Sequence, residues 1–600
     1  MTPTSRSASP TSRSSPSAPD AGVQPTQAFA ATFADELARC GLEHACVAPG
    51  SRSAPLAMAL ARHPGIRVWM HLDERSAAFF ALGMAKATER PVAVLCTSGT
   101  AAAEFHPAVV EAHHSRAPLL LLTADRPPEL RDVGANQAID QARIYGGAVR
   151  WAFDPGVPDG EPDAPARWRR LAARALAEAA GPPAGPVHLN LPLREPLVPA
   201  PGEAARAEPA AAPPTLLTRP VLAPAEATVR SLAGALSAAR RPLVIAGELR
   251  EGAAVRGPLD ALLARLDAPL LAEPTSQLRR RCATGLVEAY DALLRDAGWA
   301  SAHRPDLVLR LGAPPTSKPL NQFVAAAGSP VIVVDADGWR DPEQQAAELV
   351  RGDPALLLAA AAERLQPLTG TPAWRRTWVE AGAAAAAAIG RLLGGGGPPL
   401  HEGHVVAALA AALPDEARVV IGSSMAIRDA DTFWPAAAPG QRFLANRGAS
   451  GIDGLVSTGL GAAAAEPDVP TVLLLGDVSL YHDMNGLLAA RRHGLRAVVV
   501  VLDNDGGGIF GFLPPAGHPD VYEELFGTPL GLRMEDVARL YGLPFHSVDR
   551  AADLPEALRD ALAEDGTSMV AVRFDRPGSV AGHRACWAAV AGAVVTTTTT

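Results

Sequence analysis

Lysine is nearly missing from this chain. Of 54 basic residues only two are lysine, Lys86 and Lys318, and the rest are arginine. Each of the two is out of keeping with its surroundings and is singled out for that reason. Cysteine is scarce as well: Cys40, Cys46, Cys96, Cys282 and Cys586 form no CxxC pair and no disulfide-like spacing. That excludes a disulfide framework and makes a reducing cytoplasm the expected compartment. No uncharged apolar run reaches the roughly 18 residues of a membrane-spanning helix. A surplus of base is missing too, since the net charge is −9, which argues against nucleic acid as the main partner. What is present is a globular composition, 48 % apolar and 20 % charged, in a chain of 600 residues. That length exceeds a single core and predicts about three or four domains.

Three breaks organise the chain. Residues 1–25 are rich in Ser, Pro and Ala without an apolar stretch, and read as a disordered tail rather than a transit peptide. The Pro/Ala-rich stretch 198–227 reads as a linker, and "LLGGGGPPLHEG" at 392–403 opens a new block. The expected blocks are therefore 26–197, 228–391 and 392–592, with 593–600 frayed. In each, short β-branched or Leu-rich runs alternate with Ala-rich helical stretches: "PVAVLC" and "PLLLLTAD", then "RPLVIAG" and "PVIVVDAD", then "TVLLLGD" and "AVVVVLDN". The alternation predicts an α/β protein with three doubly wound parallel sheets, helices covering both faces. Residues 91–125 also lie on 470–504 without a gap at an offset of 379, Ser98 falling on Asp477 and Asp125 on Asn504. Few identities survive, so this is either chance patterning among α/β units or a pair of like domains around a different middle one.

In parallel sheets, ligands sit beyond the carboxyl ends of the strands. In "LLGDVSLYHDMNGLLAARRHGLRAVVVVLDNDGGGIF" (474–510), Asp477 and Asn504 leave two apolar runs at that edge. A carboxylate, an amide oxygen and the carbonyl of Gly506 suit a hard divalent ion such as Mg²⁺. Such an ion shares its shell with phosphate oxygens, which the helix start after Asp477 also attracts. The simpler alternative is two strand-end residues capping the turns that follow.

A GD pair, some two dozen residues and then an Asn resembles the diphosphate-binding motif of thiamine-diphosphate enzymes. The usual form opens GDG and closes NN, whereas this chain reads GDV and DN. The resemblance implies thiamine diphosphate with Mg²⁺, or Mn²⁺ in its place, the metal held by Asp477, Asn504 and Gly506. It further implies that Ser98, Gly476, Val478, Ser479 and Ile509 line the cofactor. A glutamate near a strand end of the first domain is expected to hydrogen-bond the aminopyrimidine, and Glu74 in "RVWMHLDERSAAFF" stands there. Alone, Glu74 is most simply a first-turn helix acid favoured by the dipole. Ile452 in "NRGASGIDG" is the candidate for the aliphatic residue beneath the bent rings.

More specific are "CVAPGSRSAPLAMAL" (46–60), "LLTADRPPELRDVGANQAIDQ" (121–141), "NRGASGIDGLVST" (446–458) and "DNDGGGIFGFLP" (503–514). Together they closely resemble the MenD family, the 2-succinyl-5-enolpyruvyl-6-hydroxy-3-cyclohexene-1-carboxylate (SEPHCHC) synthases of menaquinone biosynthesis. The resemblance implies decarboxylation of 2-oxoglutarate and addition of its succinyl unit to isochorismate. Both substrates are dicarboxylates, and the planar fork of arginine fits a carboxylate bidentately. By family motif, Ser424, Arg428 and Arg447 fall to 2-oxoglutarate, and Arg52, Arg126, Gln137 and Lys318 to isochorismate. Ser51 adds a neutral hydrogen bond, and Ile509, Phe510 and Leu513 an apolar wall. Any one of these arginines alone is more often a surface ion-pair partner. Pro319 stands where some relatives carry a second Arg, which puts one clamp in doubt. The superfamily builds its site between two copies, which implies a dimer or a dimer of dimers. An acetohydroxyacid synthase would also bind a dinucleotide in the middle block, but no Gly-rich fingerprint is found there. The same gap weakens a plain Rossmann dehydrogenase, and a catalytically dead scaffold sits poorly with the presence of Glu74, Asp477 and Asn504.

Overall fold

The computed structural model describes residues 24–199, 213, 215–281, 283–336, 338–365, 373–395, 399–437 and 440–598. Nearly all of the expected N-terminal tail and much of the linker lie outside the described residues. Three parallel sheets carry the chain. The first holds β1 (His44–Val47), β2 (Arg67–Met70), β3 (Val92–Cys96), β4 (Leu119–Asp125), β5 (Trp151–Phe153) and β6 (Val187–Pro192), in the order β2-β1-β3-β4-β6-β5. The second holds β7 (Pro242–Ala246), β8 (Leu270–Ala272), β9 (Leu307–Leu311), β10 (Val331–Val334) and β11 (Ala346–Val350), in the order β11-β10-β9-β7-β8. The third holds β12 (Arg418–Ile421), β13 (Arg442–Ala445), β14 (Thr471–Gly476), β15 (Ala497–Asp503), β16 (Phe545–Val548) and β17 (Thr567–Arg573), in the order β13-β12-β14-β15-β17-β16.

Central strands such as β3 and β4 are buried along their whole length, as a sheet covered on both faces requires. The third sheet repeats the strand order of the first. The gap-free offset noticed in the sequence is thus matched by topology: β3 lies on β14 and β4 on β15.

The helices that bear on function are α1 (Glu74–Thr88), α2 (His106–Ser115), α3 (Lys318–Ala327), α4 (Glu402–Ala412), α5 (Met425–Phe433), α6 (Leu455–Ala465), α7 (Asp477–Asp483) and α8 (Arg576–Thr598). The last runs on to Thr598, through the stretch expected to fray. A further helix, Ala373–Gly394, packs on α8 and extends just past residue 391, where the middle block was expected to end.

The first and third domains are fused through α1 and α6. A Cβ on Gly83 of α1 would sit 1.9 Å from the carbonyl oxygen of Thr458 on α6, so only glycine lets the two backbones touch. Around this contact Phe79, Phe80, Leu460 and Val499 share one buried apolar cluster. Lys86, near the end of α1, latches the contact: its Nζ donates to Glu111 Oε1 on α2 at 2.8 Å, to the Ala445 carbonyl at 2.7 Å and to Asn446 Oδ1 at 3.1 Å. One of the two lysines therefore has a structural post between domains.

Candidate active site

Side chains gather at two carboxyl edges. In the third domain, β14 and β15 pair in parallel with Gly476 opposite Leu502. Asp477 and Asn504 consequently leave adjacent strands within one residue of each other. Asp477 is buried; its Oδ1 accepts from the Val478 N–H at 2.7 Å and its Oδ2 from the Gly506 N–H at 2.8 Å. Burial pushes this carboxyl up to about 7 against the pull of those two amides, and the neighbouring Asp503 and Asp505 add to the rise. Gly506 holds φ at +134°, and a Cβ there would lie 1.9 Å from the Gly527 carbonyl, so the turn admits no side chain. Asn504 is buried too, and its Oδ1 has no hydrogen-bond partner.

A carboxylate disfavoured by burial beside an orphaned amide oxygen is what a bound cation would relieve. Among the described residues no three His, Cys, Asp or Glu side chains gather for a metal. The donors on offer are therefore a mixed oxygen set, of the kind hard cations take when phosphate completes the shell. Gly476, Val478 and the buried Ser479 flank Asp477. Ile509 and Phe510 are half-buried in the 3₁₀ turn Gly508–Phe512, and Leu513 is exposed just beyond it.

Along the same edge, Ser424 follows β12 with φ +65° and ψ −125°, a strained setting for a residue with a side chain. Arg428, one turn into α5, donates to the Ser424 carbonyl. Its guanidinium is held down by burial first and by the nearby Arg447 second. The carboxylates of Asp429 and Asp291 offset this only in part, so the Arg428–Arg447 pair would gain from an added acid. Arg447 and Ile452 lie half-buried on the loop after β13.

In the first domain, Arg52 follows β1, Ser98 follows β3 and Arg126 follows β4. Arg126 donates to Ser98 Oγ, and its guanidinium is held down by burial and by Arg52. Arg52 donates to the Leu193 carbonyl at 2.8 Å and meets Glu195 at 3.4 Å. Gln137 is exposed, with φ +54°, and lies against Gly99, the residue after Ser98, while Ser51 is exposed on the Arg52 loop. Glu74 opens α1 behind the Asp73 cap, which accepts from the Ser76 N–H at 3.1 Å. Burial pushes the half-buried Glu74 carboxyl up. Lys318 is exposed at the start of α3, with no ion-pair partner among the described residues. It is tied indirectly to α5, because Ser317 donates to Asp291 Oδ1 at 2.6 Å and Thr432 to Asp291 Oδ2 at 3.3 Å.

Asp477 meets Gly506, Arg428 lies near Arg447, and Arg126 lies near Ser98 and Arg52, but among the described residues no hydrogen bond or ion pair joins Glu74, Arg52, Arg126 or Lys318 to Asp477, Asn504 or Arg428. Glu74 and the Lys86 latch beside Arg447 lie at opposite ends of α1, about 18 Å apart at helical rise. Sequence reasoning missed the latch and a buried acid–imidazole cluster behind α5. Only the rarity of lysine could have flagged the first, and nothing local flagged the second.

Comparison with known families agrees with this geometry. The thiamine pyrophosphate enzyme N-terminal TPP-binding domain matches residues 27–144, and the C-terminal TPP-binding domain matches residues 425–572. The SEPHCHC synthase of Geobacillus thermodenitrificans is 46 % identical over 93 % of this chain and 95 % of its own length. That of Geobacillus kaustophilus is 48 % identical over 94 % of this chain and 97 % of its own, and that of Haloarcula marismortui 43 % over 91 % and 95 %. With two TPP-binding domains, strand ends that fit metal and diphosphate, and this likeness along nearly the whole length, the chain belongs to the SEPHCHC synthase family of thiamine pyrophosphate enzymes.

Proposed function

We infer that the chain is a SEPHCHC synthase: 2-oxoglutarate loses CO₂ and its succinyl remainder is joined to isochorismate. The observation that carries this reading is the near-full-length likeness to synthases of that name. Thiamine diphosphate, when bound, supplies the electron sink that lets the bond to the departing carboxylate break. This chain's residues do the rest. Asp477, Asn504 and the Gly506 carbonyl hold Mg²⁺ or Mn²⁺. Gly476, Val478, Ser479, Ser98, Ile452 and Ile509 line the cofactor. Glu74, whose carboxyl burial pushes up, would hydrogen-bond the ring nitrogen of the pyrimidine. Ser424, Arg428 and Arg447 take 2-oxoglutarate; Ser51, Arg52, Arg126, Gln137 and Lys318 take isochorismate; Ile509, Phe510 and Leu513 exclude water.

Glu74 and the metal residues belong to one site completed by two copies, so the working unit is a dimer or a dimer of dimers. No helix among the described residues is long and apolar enough to cross a membrane, and the reading places the enzyme in the cytoplasm. Blocks 26–197, 228–391 and 392–592 serve as its pyrimidine-binding, central and diphosphate-binding domains. The test is purified protein with thiamine diphosphate, Mg²⁺, 2-oxoglutarate and isochorismate. CO₂ release with a product of SEPHCHC mass by mass spectrometry is expected. Turnover of another 2-oxo acid in place of 2-oxoglutarate would overturn the assignment.

A further inference from the structure

Behind α5 lies a polar cluster that the reaction as described does not use. His583 of α8 is 2 % exposed, Asp429 of α5 is 1 % exposed and Glu402 of α4 is fully buried. His583 Nε2 meets Asp429 Oδ1 at 2.9 Å, and its Nδ1 donates to the Ser579 carbonyl at 2.9 Å and lies 3.9 Å from Glu402 Oε2. Ser579 Oγ donates to Glu402 at 2.7–2.8 Å. Burial alone depresses the imidazole, but the hydrogen bond and charge of Asp429, with Glu402, push it up to about 9. An imidazolium held between two carboxylates therefore pins the C-terminal helix α8 to α4 and α5.

The cluster touches substrate-bearing parts on two sides. Asp429 is the neighbour of Arg428 on α5, and α5 begins immediately after Ser424. On the other side the Phe512 ring stands edge-on to the His583 ring at 5.1 Å, and the Gly508–Phe512 turn that carries Ile509 and Phe510 packs on α8. One imidazole thus sets the position of α5 relative to that turn.

We propose that Asp429 and His583 are a positioning pair for the 2-oxoglutarate half of the reaction, holding Ser424 and Arg428 in register with the Ile509–Phe510 wall. The proposal rests on the substrate assignment above. Its test uses His583→Gln and the double variant Asp429→Asn/His583→Gln, which removes the charge of both members of the pair. The expected result is a 2-oxoglutarate KM raised about 10- to 100-fold in the decarboxylation half-reaction, the scale of a small misplacement. The isochorismate KM and thiamine diphosphate affinity, read by fluorescence titration, stay within about twofold of wild type. A folded double variant with an unchanged 2-oxoglutarate KM overturns the proposal. Should the double variant not fold, Phe512→Leu decides, since it keeps every charge and removes only the ring contact: a raised 2-oxoglutarate KM supports the pair and an unchanged one ends it. A wild-type protein that fails to decarboxylate 2-oxoglutarate sinks the functional reading instead. Amide hydrogen exchange over 424–429 and 508–513 then judges the pair, faster exchange in His583→Gln supporting it and unchanged exchange overturning it.

Discussion

At the scale of single residues, chemistry follows from what each side chain lacks. Asn504 Oδ1 has no partner and Asp477 resists ionising, so each gains from a cation. Asp477→Ala or Asn504→Ala is expected to abolish thiamine diphosphate retention at micromolar Mg²⁺ and to recover partly in excess metal. Wild-type affinity in an equilibrium titration would remove these residues from the metal site. Glu74→Gln should keep the cofactor yet lose about 10²-fold or more in turnover, the usual scale of proton-transfer assistance, because an amide cannot exchange that proton. Activity within a few-fold of wild type would return Glu74 to the role of a helix-start acid. The substrate groups should separate as well. Removing one buried charge-assisted hydrogen bond costs about 1.5–3 kcal/mol, roughly 10- to 150-fold. Lys318→Ala should raise the isochorismate KM and spare 2-oxoglutarate decarboxylation measured with an artificial electron acceptor, whereas Arg428→Ala should impair decarboxylation itself. Equal damage to both half-reactions by Lys318→Ala would refute the partition. Lys318 is exposed, so its effect belongs at the low end of that range.

At the scale of elements, the strand ends were legible and the helix contacts were not. Asp477, Asn504, Arg52 and Arg126 each follow an apolar run, and a run with a polar terminus is a local pattern that needs no tertiary knowledge. The α1–α6 contact depends on Gly83 and Thr458, which read in isolation as ordinary members of Ala-rich helices. The Asp429–His583 pair spans 154 residues and has no local signature at all. It does have a thermodynamic one. His583 binds its proton more tightly folded than unfolded, so it stabilises the fold fully below about pH 6.5 and loses that contribution as pH rises through about 9. Glu402, raised to about 7 by burial and by Asp429, likewise loses a contribution as pH climbs from its unfolded value through 7. Of the other groups around the imidazole, Asp429 is pushed up by burial in the same sense as Glu402, while His401, just before α4, and His404 of α4 are held down by burial. The thermal midpoint should therefore fall between pH 6.5 and 9, and fall less steeply in Asp429→Asn/His583→Gln. Parallel melting curves for the two proteins would show that the cluster does not govern alkaline stability.

At the scale of the whole molecule, the proposed function has one chain supply two unlike half-sites, which makes the partnership of copies testable without a structure of the assembly. Glu74→Gln and Asp477→Ala are each expected to be inactive, but a mixed dimer carries one site with both residues intact. Statistical pairing makes half the dimers mixed, so co-expression should restore about a quarter of wild-type activity. No recovery in separately tagged, co-purified mixtures would place the whole site within one chain. The shared strand order of the first and third sheets has a consequence for how such a molecule can change. The same edge position carries Ser98 in one sheet and Asp477 in the other, on strands whose buried cores are alike. Chemistry at that edge is therefore exchangeable without repacking, but it is not symmetric, because Arg126 already holds Ser98. An aspartate placed at 98 would be neutralised by that arginine before any cation reached it. On the proposed assignment, then, the like edges divide the labour: the first domain's arginines take anions and the third domain's oxygens a cation.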